Sequence, residues 1–277
     1  MRTWVNGSLL GRDSAVVSAF DHGLTVGDGA FETVKVVDGV PFALRRHLDR
    51  LSRSAAGLGL PAVDKDAARA ACAAVCAQAP VGLYRLRITY TGGIAPLSSE
   101  RGDSGPTLVV AIAPTAPPAE STSVAVVEWR RNERGALAGL KTTSYAENVV
   151  ALAHARGLGA TEAVFADTQG RLSEGTGSNV FVVVAGQLLT PALSTGCLNG
   201  ITRQLVLEWT GAREAEVPIS VLDDADEVFL TSSIRDVQGV AAIVGPRHAR
   251  TLPAAPGPVT REAAALFAKH CAEDPEP

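Results

Sequence analysis

Lysine is scarce in this chain. Of 277 residues, 25 are Lys or Arg, and only Lys35, Lys65, Lys141 and Lys269 are lysines, so any chemistry that needs a side-chain amine has few candidates. Cysteine is equally sparse, at Cys72, Cys76, Cys197 and Cys271. Cys72 and Cys76 fall one helical turn apart in an alanine-rich stretch with no accompanying His or Cys set, which argues for a packed helix face and against a metal pair. No metal is expected. No apolar run reaches the roughly 18 to 20 residues that a bilayer span needs, and Met1-Arg2-Thr3-Trp4 runs directly into a hairpin signal at Asn6-Gly7 without an apolar leader. The expectation is a cytoplasmic chain with no membrane partner. A net charge of -4 and the lack of a basic stripe argue against nucleic acid, and no internal repeat is visible. What the chain does have is 46% hydrophobic residues, enough at this length for one large or two modest domains with real cores.

Strands and helices alternate in the first third. The pattern predicts a hairpin over Thr3 to Leu10, strands over Phe31 to Val37 and Pro41 to Leu44 joined at Asp38-Gly39, helices over Arg45 to Ala56 and Asp64 to Gln78, and strands over Gly82 to Tyr90 and Thr107 to Ile112. Residues 1–113 are read as a small α/β domain. The segment Pro114-Thr115-Ala116-Pro117-Pro118-Ala119-Glu120-Ser121 resists both helix and strand, which makes 114–122 a linker. A larger domain follows over 123–272, with strands near Ser123 to Glu128, Glu162 to Ala166, Asn179 to Val184 and Glu227 to Leu230, and helices near Thr143 to Arg156, Ile201 to Thr210 and Val259 to His270. The tail 273–277 reads as disordered.

Three stretches of the larger domain carry the chemistry. Lys65 lies between two aspartates and Lys269 near the C-terminus, both as solvated charges, whereas Lys35 sits on the odd face of the Phe31 to Val37 strand. Lys141 stands in a turn-like approach to a helix, where desolvation would lower the pKa of its amine and make it a usable nucleophile and base. In Ser173-Glu174-Gly175-Thr176-Gly177-Ser178-Asn179 the glycines let the backbone approach a planar ring, and Glu174 could pair with a protonated ring nitrogen. Gly200-Ile201-Thr202-Arg203 opens a helix whose unpaired amides, with the Thr202 hydroxyl, could hold a phosphate, and Thr231-Ser232-Ser233 ends a strand with further hydroxyls. An amine for a Schiff base, an acid for a pyridine nitrogen and a phosphate cradle are the needs of pyridoxal phosphate.

With Trp4-Val5-Asn6-Gly7, Asp21-His22-Gly23-Leu24, Gly27-Asp28-Gly29-Ala30-Phe31-Glu32 and His47-Leu48-Asp49-Arg50-Leu51 added, the set resembles the class IV aminotransferase family, or fold type IV, over almost the whole chain. The resemblance implies a two-domain α/β fold, a small N-terminal α/β domain followed by a larger domain with a barrel-like sheet, with the active site between the domains and a homodimer as the working form. It implies that Lys141 forms the covalent bond to the cofactor and moves protons, that Glu174 holds the pyridine nitrogen within the Ser178 and Asn179 loop, and that Arg50, Ile201, Thr202, Ser232 and Ser233 bind the phosphate. Phe31, Lys35, Tyr90 and Arg101 are candidate substrate contacts.

Members of that family act as branched-chain aminotransferases, D-amino-acid aminotransferases or aminodeoxychorismate lyases. D-amino-acid enzymes carry an Arg-x-His carboxylate trap where this chain has Leu97-Ser98-Ser99, although Arg101 lies close behind. Branched-chain enzymes show Gly-Glu-Asn where this chain has Gly177-Ser178-Asn179, and Tyr145 falls one position early for their cofactor-side tyrosine. The segments Leu140-Lys141-Thr142-Thr143-Ser144-Tyr145 and Thr231-Ser232-Ser233-Ile234-Arg235-Asp236-Val237 resemble lyase-type members most. Aminodeoxychorismate lyase, with a place in folate synthesis, is therefore the first expectation. A transaminase of D- or branched-chain amino acids stands second, and a non-catalytic α/β binding module is the alternative from another class.

Overall fold

Asn6-Gly7 and Asp38-Gly39 close the two N-terminal hairpins. Asn6 (φ 41°), Gly7 (φ 99°), Asp38 (φ 51°) and Gly39 (φ 82°) all take left-handed backbone, which a two-residue turn needs if its twist is to match its strands. The structure is a computed structural model and describes residues 2–245 and 248–277. One unit comprises the chain up to Pro117 with Leu140–Tyr145 and Asp274–Pro277; the other comprises Pro118–Gly139 and Ala146–Glu273.

The first unit contains β1 (Arg2–Val5), β2 (Ser8–Gly11), α1 (His22–Thr25), β3 (Gly29–Val37), β4 (Val40–Pro41), α2 (Leu44–Gly57), α3 (Lys65–Cys76), β5 (Leu83–Thr91) and β6 (Thr107–Pro114). Its antiparallel sheet runs β2-β1-β6-β5-β3-β4. Period-two alternation gives the sheet two different faces. Ala30, Val34 and Val36 of β3, Leu86 and Ile88 of β5, and Val110 and Ile112 of β6 form one apolar core with Leu44, Leu48 and Leu51 of α2 and Ala68, Cys72 and Val75 of α3. Phe31, Thr33 and Lys35 occupy the other face, in register with Thr89, Arg87 and Arg85 of β5. The strand predicted over Pro41 to Leu44 is reduced to β4, because Ala43 turns left-handed (φ 52°) and sends the chain into α2. Asp64 accepts from the amides of Asp66 and Ala67 and so starts α3.

Leu140–Tyr145 groups with this unit, although the sequence pattern places it in the later domain. The reason is an open sheet edge. β4 covers only Val36 and Val37 of β3, leaving Gly29 to Phe31 with unpaired backbone groups. Phe31 N donates to Lys141 O at 3.0 Å and Thr143 N to Gly29 O at 2.7 Å, and Ala30 bridges Thr142. The helix predicted from Thr143 therefore begins later, at Ala146. The C-terminal residues, read from composition as disordered, are docked here: Ala43 N donates to Pro275 O at 2.7 Å, and Arg45 N donates to Glu276 Oε2 at 3.0 Å, which satisfies an amide at the start of α2.

The second unit contains β7 (Ser121–Arg131), α4 (Ala146–Gly157), β8 (Glu162–Asp167), β9 (Leu172–Gly175), β10 (Asn179–Val184), β11 (Gln187–Pro191), α5 (Ile201–Trp209), β12 (Arg213–Ala215), α6 (Val221–Asp224), β13 (Glu227–Ser232), β14 (Asp236–Val244), β15 (Arg250–Thr251) and α7 (Pro258–Glu273). Strand order is β12-β11-β10-β13-β14-β7-β8-β9, and β9 pairs again with β10 through Glu174 and Asn179. That last pairing closes β10, β13, β14, β7, β8 and β9 into a barrel and leaves no open edge among them. Val124, Val164, Leu172, Val180, Val182, Val228, Leu230 and Val240 share its core. Ala151 and Ala155 of α4 pack outside it on Ala125, Val127, Ala163 and Phe165. No helix among the described residues is long and apolar enough to cross a membrane.

Candidate active site

Lys141 is held by its backbone before its side chain is considered. Besides pairing with β3, its amide donates to Ser54 Oγ of α2 at 3.1 Å. Leu140 fills the space above Gly57, where a Cβ would lie 2.7 Å from Leu140 Cδ2. The Lys141 amine then stands 4.3 Å from the centroid of Phe31 and 5.9 Å from that of Tyr145, with the two rings edge to face at 5.3 Å. The Arg87 guanidinium carbon lies 3.4 Å from the Phe31 centroid, so one ring organises two cations. Burial lowers the Arg87 pKa, against the pull of Tyr145 and Glu32.

Arg50 lies on the opposite, α2-covered face of the sheet. It donates through Nε to Glu32 Oε1 at 2.8 Å and through Nη2 to Oε2 at 2.6 Å, while His47 Nδ1 lies 2.7 Å from the same carboxylate. All three side chains are buried. Burial alone would raise the Glu32 pKa, but the charge and hydrogen bonds of Arg50 and His47 outweigh it and hold it at about 2. Burial, reinforced by Arg50 and Lys141, lowers that of His47. Both displacements favour the deprotonated form in the folded chain. Stability is therefore complete above about pH 6.5, declines below it as the unfolded His47 takes up a proton, and declines further from about 4.5 towards 2 as Glu32 is titrated. The Glu32 part is on the order of 3 kcal/mol. Urea midpoints measured from pH 7 to 2 should fall more steeply for wild type than for Glu32→Gln, with the two curves converging at the acid end; parallel curves would contradict this assignment.

In the second unit Glu174 sits where β9 meets β10. Its Oε2 accepts from Leu198 N at 2.9 Å, and its Oε1 lies 3.3 Å from Arg131 Nε. Arg131 stacks on Phe165 with 4.1 Å to the centroid and also bonds Glu147 and Asn148. Glu174 is thereby fixed as a carboxylate beside a cation. Asn179 donates through Nδ2 to Leu198 O at 2.8 Å, and a Cβ at Gly200 would collide with its Oδ1. Gly200 precedes α5 with no side-chain cap, which leaves the first amides of α5, at the buried Ile201 and Thr202, for a ligand at a positive helix end. Thr231, paired across the sheet with Asn179, has a buried hydroxyl with no hydrogen-bond partner among the described residues. Ser232 Oγ accepts from Arg235 N at 3.3 Å, and Ser233 follows in the same turn. An orphaned buried hydroxyl near an uncapped helix start suits a phosphate.

Other sequence candidates have different surroundings. Tyr90 donates to the carbonyls of Pro61 and Ala62 at 3.2 and 3.3 Å, on the core side of the sheet. Arg101 spans both oxygens of Asp28 at 2.8 and 2.7 Å and the carbonyls of Leu58 and Gly59 at 2.7 and 2.9 Å, a contact set that anchors its loop. Lys35 lies 5.3 Å from the Phe42 centroid, and Ser178 turns its hydroxyl to Glu162. Sequence reasoning did not single out Arg87, Arg131, Glu162 or Arg235. Only Arg87 left a signal, as a charge on the odd face of a strand whose even face is Leu86 and Ile88.

A lysine amine among aromatic rings in the first unit, and a cation-paired carboxylate and an uncapped helix start in the second, are each of the kind that pyridoxal phosphate requires. Comparison with known proteins agrees: the family model for amino-transferase class IV matches residues 29–243, and the chain belongs to that pyridoxal-phosphate-dependent enzyme family. A provisionally named branched-chain-amino-acid aminotransferase of Methanocaldococcus jannaschii is 32% identical, with 88% of each chain covered. D-alanine aminotransferase of Bacillus licheniformis is 30% identical over 94% of each chain. Aminodeoxychorismate lyase of Bacillus subtilis is 29% identical over 84% of each. The branched-chain aminotransferase of Thermoproteus uzoniensis, solved with norvaline, superposes with a TM-score of 0.89 at 28% identity, over 97% of this chain and 94% of that one. These findings bear out the fold type IV expectation and set aside the non-catalytic binding module.

Proposed function

We propose that this enzyme is an aminodeoxychorismate lyase, releasing pyruvate and 4-aminobenzoate. The observation that supports this reading is the outer face of β3 and β5. Thr33 pairs with Arg87, Lys35 with Arg85 and Phe31 with Thr89, so a substrate beside Lys141 meets cations and hydroxyls around a single ring. A cyclic substrate with two carboxylates suits that face, because charge-assisted bonds to arginine are strong and directional. A branched aliphatic side chain would need an apolar lining instead.

When bound, pyridoxal phosphate supplies an electron sink for a carbanion next to the substrate amine. The chain's own residues do the rest. Lys141 Nζ would hold the cofactor and, once the substrate is in place, take the proton from the carbon that bears the substrate amine. Breaking the bond between the ring and the enolpyruvyl oxygen then releases enolpyruvate, which takes up that proton to become pyruvate, and leaves an aromatic ring, so the atoms balance without a keto acid. In this reading Glu174, within the Ser178 and Asn179 loop, keeps a proton on the pyridine nitrogen. Ile201, Thr202, Ser232 and Ser233 hold the phosphate, with Thr231 beside them, and Phe31 and Arg87 position the substrate, while Arg50 is engaged by Glu32. The reading also includes a cytoplasmic homodimer working in folate synthesis; the exposed Phe20, Leu24, Val26, Ile94 and Leu97 offer the apolar surface that an association needs.

Transamination of branched-chain or D-amino acids is the second reading, favoured by the activities named for several of the relatives above. The test supplies cofactor-loaded protein with aminodeoxychorismate and no keto acid and follows 4-aminobenzoate by fluorescence. Formation at a rate lost in Lys141→Ala is expected. No 4-aminobenzoate, with turnover of D-alanine or a branched-chain donor once a keto acid is added, would overturn the lyase in favour of a transaminase.

A further inference from the structure

Glu162 opens β8 with 2% of its surface exposed, and both oxygens of its carboxylate accept hydrogen bonds. Its Oε1 accepts from Thr176 N at 3.1 Å, from the Thr176 hydroxyl and from Ala163 N at 3.2 Å. Its Oε2 accepts from Ser178 Oγ at 3.1 Å and from Arg235 Nη2 at 3.2 Å. Thr176 and Ser178 belong to the loop that begins at Glu174, and a Cβ on the intervening Gly175 would stand 3.3 Å from Glu162 Cδ, so that loop lies directly on the carboxylate. Arg235 belongs to the β13–β14 turn. It reaches back through its amide to Ser232 Oγ at 3.3 Å and is steadied through Nη1 by Gln238 at 2.7 Å, which in turn bonds Ala119 O at 2.7 Å.

From this we infer that Glu162 is a positioning residue: one buried carboxylate fixes both the loop that presents Glu174 and the turn that presents Ser232 and Ser233. The inference rests on the cofactor placement proposed above, in which these two segments hold opposite ends of one rigid molecule. A rigid ligand is bound tightly only if its two contact sets are held at the matching separation before it arrives. Glutamine cannot replace this carboxylate. Whichever end becomes the amide nitrogen would face either Arg235 or the Thr176 amide, and neither donor can turn to accept.

The test measures cofactor affinity of the full chain, by titrating the apoprotein with pyridoxal phosphate for wild type, Glu162→Gln, Arg235→Gln and the double variant. Each single variant should raise Kd about tenfold or more, and the double should be little worse than the poorer single, because both break one link. Arg235→Lys should recover part of the loss. A residue that serves only the fold would lower the melting temperature of the apoprotein while leaving Kd within twofold of wild type; that result, or fully additive losses, would overturn the inference. If Glu162→Gln does not fold, Thr176→Val carries the same expectation, since it removes one donor and leaves the charge in place. If wild type itself takes up no cofactor, or Lys141→Ala keeps a covalent adduct, the underlying placement fails; if those controls behave and Kd is unmoved, only the role of Glu162 fails.

Discussion

Lys141→Ala is expected to give a folded protein that forms no covalent adduct with pyridoxal phosphate and turns over on the order of 10⁴-fold more slowly, the upper range for loss of a positioned acid–base group. The fold should survive because the bonds that place this residue are made by its backbone: its carbonyl accepts from Phe31 N and its amide donates to Ser54 Oγ, and alanine keeps both. The other lysines are committed elsewhere. Lys65 is 3.0 Å from Asp49 and Lys269 is 3.9 Å from Glu273, while Lys35 lies over Phe42. Loss of visible absorbance in the loaded protein, with an unchanged circular dichroism spectrum, is the readout. Persistence of the absorbance would move the covalent role to another amine.

Glu174→Ala is expected to keep the covalent bond to the cofactor but to lose turnover by about 10² to 10³, the usual cost of deleting one preorganised electrostatic partner. The carboxylate is fixed by Leu198 N and Arg131, so it is oriented before any ligand binds. Its removal also leaves Arg131 facing a gap, which adds a smaller loss of stability. Absorbance titration compared with single-turnover rates separates the two effects. Unchanged turnover would remove Glu174 from the chemistry.

Much of this was legible in the sequence where a local signal existed. Asn6-Gly7 and Asp38-Gly39 announce their hairpins because few other pairs tolerate two left-handed residues, and β3 announces its faces because Val34 and Val36 alternate with Thr33 and Lys35. β14 gave no such signal: Val240, Ala241, Ala242 and Ile243 form a continuous apolar run, and Gly239 lies in the strand interior because a Cβ there would stand 2.9 Å from Pro256 Cα. Without β14, and without the short β9, barrel closure could not be derived, since it depends on a single pairing between Glu174 and Asn179. Lys141 was recognised but placed in the wrong company, because its partner is a strand edge left open more than a hundred residues earlier. The same limit hid the charges. Nothing local marks Glu32 as the partner of Arg50, or Glu162 as the acceptor shared by Thr176, Ser178 and Arg235; those pairings exist only once the sheets have formed.

The most direct test of the central claim is chemical. Loaded protein is reduced with borohydride, digested, and its peptides are mapped by mass spectrometry. A pyridoxyl group on the peptide that contains Lys141, and absent from that peptide in Lys141→Ala, is the expected result. A pyridoxyl group on Lys35, or on no lysine at all, would contradict it.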